Sequence, residues 1–465
     1  MPGTLNKNYN PVTPISLRGR LLVGIIRVYY RLREWLGGPT PDAVVPGHHE
    51  DPLTMTFAEK TYLGQKYYYR ALLKPEPGSG LETHFHKQQF RFEIPEGFVP
   101  ETSATLSAGG DLIPYEGVRK ACCGHIWDDL GDFFFGADWV VANLESPADF
   151  SKPFSAAPEV MLHDMFFNVD DEAFHIFNGN GRHRGFDLLS VANNHSLDMG
   201  VSGLQQTLKK LGEKGIAPCG AVSDPRDLLR PVILEKKNIH LAFLAATFSF
   251  NKEQLPAGEE WRCNRLPLNK EGADMQLLVH QARAARDAGA DCIVAMLHMG
   301  CAYQAYPSLH TVNNIHRLCD DSGIDLVIAG HPHHAQPMEI YESPVSGKRH
   351  FIVYSLGDFI ACDIFKWGRL CLLPKFTLTK GSLDGKPHTL ISGLQLKAGY
   401  MQADIRNGKV RNLRLLDYSR VRRYPEQFLR TPAARSQFEE VRSLFDQYVL
   451  NSRQQAELGM DSQDF

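Results

Sequence analysis

From residue 105 onward, short apolar runs recur along the chain, and amphipathic stretches separate several of them. The runs occupy 105–108, 139–142, 188–192, 239–245, 292–297, 326–329 and 351–355. Most are continuously apolar rather than alternating, as expected of strands with both sheet faces covered. Helical spacing marks 203–211, 274–288 and 312–320, and Gly215, Gly289 and Gly323 follow where a left-handed helix end favours glycine. Strands separated by helices predict an α/β sandwich. Two later segments, 391–398 and 410–417, alternate more strictly and predict an added antiparallel section.

Both flanks read differently from this middle, giving an expected division into residues 1–102, 103–420 and 421–465. Proline and glycine break the first part at 37–41, 75–80 and 95–100, so it reads as a separate, irregular region. Within it, Arg18, Arg20, Arg27, Arg31 and Arg33 accompany Leu, Ile, Tyr and Trp in a basic amphipathic helix. That helix is expected to dock on the protein or on a second subunit, with a membrane surface as the alternative. His84 and His86 flank Phe85 and could share one face of a strand, where they read as surface or structural residues. Near the end, Phe438, Val441, Leu444 and Phe445 recur at helical spacing and predict a core or interface stripe.

The charge balance limits the partners. A formal net charge of -3 gives no basic excess for nucleic acid, so none is expected as a partner. Nine cysteines are too few for a disulfide scaffold in a chain of 465 residues, and free thiols lean it toward a reducing compartment. No run reaches the roughly 18 apolar residues of a membrane span, and no signal-peptide pattern is recognisable. The expected location is therefore cytoplasmic, with peripheral membrane association through the basic helix as the further option.

Polar clusters follow five of the apolar runs, where ligands collect in open α/β sheets. Gly109-Gly110-Asp111 offers a tight turn and a hard oxygen donor. Asn143-Leu144-Glu145 can aim two polar side chains the same way, one orienting and one coordinating. Asn193-Asn194-His195 supplies an amide oxygen and an imidazole, the latter suited either to ligation or to proton transfer, and Asp198 can hold the turn or the ring. His298 follows the fifth run, and Gly330-His331-Pro332-His333-His334 follows the sixth, with His331 and His333 expected to meet neighbouring metals from an extended loop. Singly each is a weak signal; five together predict a metal site. Mixed oxygen and nitrogen donors suit manganese, iron or zinc better than calcium. Arg182, His183 and Arg184 form a cationic loop that reads as an ordinary solvated loop, with attraction of an anionic ligand as the alternative.

GGDLIPY at 109–115, NLESP at 143–147, ANNHSLDMG at 192–200, LHMG at 297–300, AGHPHHAQPMEIY at 329–341 and YSLGDF at 354–359 resemble the poly-gamma-glutamate capsule synthesis protein family. Its domain is similar to calcineurin-like metallophosphoesterases. The resemblance implies a four-layer αββα sandwich with terminal additions and a pair of divalent ions, manganese, zinc or iron. It implies Asp111 and His333 for one ion, Asn194, His298 and His331 for the other, Glu145 as bridge, and His195 facing the phosphoryl group or leaving oxygen. Ile113 stands where the phosphoesterase pattern has histidine, Met299 and Ala302 where the capsule family commonly has tryptophan and glutamate, and Asp358 where it has asparagine.

Three functions follow as expectations. The first is a metal-dependent, phosphoesterase-like hydrolase of an anionic, phosphate-containing substrate, with Asn143 and the 182–184 loop as substrate contacts. The second is a capsule or poly-gamma-glutamate synthesis or export factor that binds or remodels an anionic polymer, with the membrane or the capsule machinery as partner. The third is a degenerate metal-binding interaction domain.

Overall fold

The computed structural model describes residues 11–37, 50–69, 74–161 and 165–460. Its strands are β1 (Val99–Leu112), β2 (Trp139–Leu144), β3 (Leu188–Ser190), β4 (Ala217–Cys219), β5 (Val232–Lys236), β6 (Ile239–Thr247) and β7 (Cys292–His298). There follow β8 (Leu326–Gly330), β9 (Met338–Glu342), β10 (Arg349–Val353), β11 (Asp358–Ile360), β12 (Leu370–Leu383), β13 (Lys386–Arg406) and β14 (Lys409–Asp417). One sheet runs β14-β13-β12-β1-β2-β3-β4, with β11 also paired to β1; the other runs β5-β6-β7-β8-β10-β9. Within them β1 to β4 are parallel neighbours, as are β6, β7 and β8. Their C-terminal ends therefore open in the same direction within each sheet.

Alternation along the second sheet explains the layering. Leu241, Phe243 and Ala245 of β6 enter the core shared with the first sheet. Their neighbours Ala242, Leu244 and Ala246 face the other way, into a second core with Leu278 and Ala282 of the Gln276–Asp287 helix and Ile315 and Leu318 of the Leu309–Ser322 helix. On the first sheet's outer side, Leu204, Leu208 and Leu211 of the Gly200–Glu213 helix join the large core. The result is the expected α/β fold, a four-layer αββα sandwich with additions. Burial on both faces accounts for the continuous apolar runs.

The antiparallel addition is larger than expected, because β12 joins β13 and β14 on the free edge of β1. Two-residue turns connect these strands: Asp384-Gly385 and Asn407-Gly408 all have positive φ, as the twist of tight hairpins requires. At the far end, Phe438, Val441 and Phe445 of the Pro432–Tyr448 helix are buried in the large core, and Leu444 in the second.

Among its described residues, the first part is helical rather than irregular. Helices span Leu17–Trp35, Phe57–Tyr68 and Leu81–Lys87, while the Gly38-Pro39 and Pro41 break lies outside the described residues. His84 and His86 lie on the third helix rather than a strand. Leu81 and Phe85, four residues apart, bury together in the second core, and this helical period overrides the local alternation. His84 bonds to Glu339, and His86 Nε2 lies 2.9 Å from the Gln447 carbonyl oxygen. Among the described residues, no helix is long and apolar enough to cross a membrane.

Candidate metal centre

Asp111 is fully buried near the end of β1. Its Oδ1 accepts a hydrogen bond from Asn143 Nδ2 at 2.8 Å, and its Oδ2 accepts one from the His331 backbone N–H at 2.8 Å. Only glycine allows these approaches: a Cβ on Gly110 would lie 1.8 Å from the Gly357 carbonyl oxygen, and one on Gly330 would lie 2.3 Å from Asp111 Oδ1. His298 ends β7 between the two sheets. Its Nε2 lies 2.7 Å from Asn194 Oδ1 and 3.5 Å from Glu145 Oε1, while its Nδ1 lies 3.2 Å from Asn143 Nδ2. Asn143 and Glu145 thus face one imidazole, as their spacing predicts. Asn194 is steadied from behind, its Nδ2 donating to Asn251 Oδ1 at 3.2 Å.

The histidine loop departs from the expected extended form. His331 has φ 94° and His333 φ 61°, left-handed values that bulky side chains adopt at a cost. The turn still brings their rings to 5.7 Å, and His331 to 5.0 Å from His298. His334 turns away and stacks on Trp367 at 4.3 Å, and Gln336 Nε2 donates to the Gln304 carbonyl oxygen.

Three groupings have ligand atoms within 4.8 Å of one another: Glu145 with His331 and His333, Asp111 with His333 and Asp358, and Asp111 with Glu145 and His298. Among the described residues, neither Oε of Glu145 and neither ring nitrogen of His331 has a partner at good hydrogen-bond geometry, nor has Asp358 Oδ2. Unpaired buried donors and acceptors are costly, so a set converging on one point fits a cation. Burial, reinforced by Asp111, pushes the Glu145 carboxyl up to about 8, and burial pushes His298 and His331 down to about 3. The rings are thereby held neutral, as ligation requires. Burial opposes charge on His333, but the carboxylates of Asp358 and Glu145 outweigh it and raise that ring to about 10.

Beside this cluster, His195 Nδ1 lies 2.6 Å from Asp198 Oδ2, which also accepts from the Phe167 backbone N–H. Phe167 stacks on the ring at 3.9 Å. His195, Ile113, Tyr115, Phe167, Tyr303 and His333 line a common cleft. Arg182, His183 and Arg184 are not brought there. Arg182 pairs with Asp128, Arg184 donates to the carbonyls of Phe135, Ala137 and Asp138, and His183 stacks on Phe135. Asp138 and Asp187, which also pairs with Arg184, precede β2 and β3, so this loop closes the opposite end of the sheet from Glu145 and Asn194.

Two acids outside the expected set join the centre. Asp358 is in register with Asp111 across the β1/β11 pair, with Oδ1 3.0 Å from His333 Nδ1. Glu50 reaches in from the first part: Oε2 accepts from the Ala302 backbone N–H at 2.8 Å and lies 3.5 Å from His331 Nε2, while Oε1 pairs with buried Lys66 at 2.5 Å. Glu50 therefore brings a carboxylate to Ala302, one of the positions at which the sequence departs from the expected pattern.

Residues 105–362 match the family described as bacterial capsule synthesis protein PGA_cap. The chain belongs to that family. Among curated proteins, it is 25% identical over 255 residues to the PGA biosynthesis protein CapA of Bacillus subtilis (strain 168), covering 54% of this chain and 61% of that one. It is 27% identical over 262 residues to the capsule biosynthesis protein CapA of Bacillus anthracis, covering 55% and 59%. The matched region thus spans about three-fifths of these relatives. Among solved structures, the calcineurin-like phosphoesterase YfkN from Bacillus subtilis aligns with a TM-score of 0.36 at 16% identity, over 74% of this chain and 100% of that one.

Proposed function

We propose that this chain is a metal-dependent, phosphoesterase-like hydrolase of an anionic, phosphate-containing substrate. The observation that carries the reading is the convergence of buried, unpaired carboxylate and imidazole groups beside a histidine whose other nitrogen is already engaged. Two divalent ions, manganese, zinc or iron, would supply Lewis acidity to phosphoryl oxygens and acidify a water toward neutral pH. Glu145 groups with Asp111 and His298 and also with His331 and His333, so it meets members of both proposed ligand sets and suits a shared ligand. Asn194, His298 and His331 would hold one ion, the two rings lying 5.0 Å apart, and Asp111, His333 and Asp358 would hold the other, with Asp358 offsetting the apolar side chain of Ile113. With Nδ1 engaged by Asp198, His195 would use Nε2 to protonate the departing alkoxide.

The test loads the full chain separately with manganese, zinc and iron, and measures ion content and turnover across phosphomonoesters and phosphodiesters. Activity above the metal-free protein, lost in Glu145→Gln, supports the reading; no excess over either control rejects it for those substrates. Asp358→Asn is expected to weaken one of two ions by about 10- to 100-fold, read by competition with a chelator.

Family membership favours a second reading, in which the same centre binds or remodels an anionic polymer such as polyglutamate. Polymer binding that survives Glu145→Gln, with no phosphate ester hydrolysed, would favour it. Fewer than one ion per chain, with every ligand intact, would instead favour a degenerate interaction domain.

A further inference from the structure

The Leu17–Trp35 helix has two apolar faces, and the protein uses one. Gly19, Val23 and Tyr30 are buried, and Val23 joins Val12, Tyr68 and Phe365 in a small apolar cluster. The helix is fastened in this orientation. Ser16 caps it, with its backbone N–H donating to Glu159 at 2.8 Å, and Arg27 Nε donates to the Tyr68 carbonyl oxygen at 2.9 Å.

The opposite face carries Leu17, Leu21, Ile25, Val28, Leu32 and Trp35, all exposed, with Leu21 at 62%, Ile25 at 66% and Trp35 at 81%. At about 100° per residue these six fall within an arc of about 80°. Arg20 and Arg31 project along one border of that arc, and Arg18 and Arg33 lie toward the other. Counting Arg27, the helix has five arginines and a single acid, Glu34, which accepts from the Tyr69 hydroxyl at 2.6 Å.

An apolar stripe bordered by arginines, with a tryptophan at its end, matches the layered chemistry of a lipid interface. We propose that this face docks on an anionic phospholipid surface. Charge selects this occupant over a second copy of the chain, since apposing two such stripes would bring their arginine borders together. The proposal is independent of any hydrolytic activity. It has a spatial consequence, because Phe365 stacks on Tyr303 at 3.8 Å and Tyr303 on His333 at 5.2 Å. The buried face of the helix thus backs onto the wall of the metal centre, and docking would hold that cleft at a fixed place relative to the lipid.

Cosedimentation of the full chain with vesicles of phosphatidylglycerol and phosphatidylcholine, against phosphatidylcholine alone, tests this. Binding should be at least about tenfold stronger to the anionic vesicles and should weaken with salt. Arg20→Gln with Arg31→Gln should lower it by about fivefold per arginine. Ile25→Glu with Leu32→Glu should abolish it; because both side chains are exposed, thermal unfolding should be unchanged, separating lost docking from lost folding. Equal binding to neutral vesicles, or binding unmoved by these variants, overturns the proposal. So does a wild-type dimer that Ile25→Glu dissociates, or vesicle binding that appears only when residues 1–10 or 38–49 are removed, which would assign the face to a second copy or to the chain's own segments.

Discussion

With its Nδ1 held 2.6 Å from Asp198 Oδ2, His195 has Nε2 to offer the cleft. A ligand and a proton donor would look alike in the sequence, but their loss has different consequences. If His195 is the acid, His195→Ala leaves ion content unchanged while kcat falls by about 10²- to 10⁴-fold. Asp198→Asn, which frees the ring to change tautomer, should lower kcat in the same direction and alter its pH profile. Loss of an ion in either variant would make His195 a ligand. The proposed ligands were legible because each directly follows an apolar run, and strand ends are where side chains of an α/β sheet can converge. Asp358 was visible only as a departure from a motif; its role depends on the β1/β11 pairing, which three residues of strand hardly signal. Glu50 follows no apolar run and lies 252 positions before its backbone partner Ala302. The 182–184 loop carries the right charge for an anion, but its partners lie at the starting ends of β2 and β3, and local charge does not encode which end of a strand a loop caps.

At the scale of elements, the sequence marks buried central strands best, because covered faces require unbroken apolar runs. It missed β5 and β9, edge strands of the second sheet with partly exposed patterns, and β12, although the Asp-Gly and Asn-Gly turns were available signals. The Leu81–Lys87 helix shows how an element acquires a function invisible in its own residues. His84 from that helix, His316 from the Leu309–Ser322 helix and the Tyr354 hydroxyl converge on buried Glu339 of β9. Burial alone would raise the Glu339 carboxyl, but hydrogen bonds from His316, His84 and Tyr354 outweigh it and hold it down to about 2. Because this group titrates lower in the folded chain than in the unfolded one, its stabilisation is complete above about pH 4.5 and fades as pH falls toward 2. His84 shifts the other way: burial opposes its charge, the stronger Glu339 hydrogen bond raises it, and its share is complete below about pH 6.5 and fades as pH rises through its folded value. Glu339→Gln should therefore destabilise by about 3 kcal/mol between pH 5 and 6, with the gap in urea midpoint narrowing on both sides. A gap independent of pH would show that packing, not charge, joins these elements.

For the whole molecule, the terminal parts are structural members of the sandwich. Phe438 and Phe445 complete the large core, and Phe85 the second. Composition separated these regions from the middle, but the contacts that bind them are long-range and leave no local pattern. The buried Glu50–Lys66 pair carries this furthest, since it links the Phe57–Tyr68 helix to the Ala302 backbone and to His331. Removing one partner alone would strand a buried charge and cost about 3–5 kcal/mol, which would confuse a folding defect with a defect at the centre. Replacing both, Glu50→Gln with Lys66→Met, removes the two charges together, and such exchanges are often close to neutral for stability. If Glu50 only anchors the first part of the chain, this double variant should bind ions as the parent does. If it orients His331 or shares its ion, the parent's unfolding midpoint should be kept while ion affinity falls by about 10- to 100-fold, measured by chelator competition. The second outcome is expected, because the Glu50 carboxylate already lies 3.5 Å from the His331 Nε2 that the centre would use.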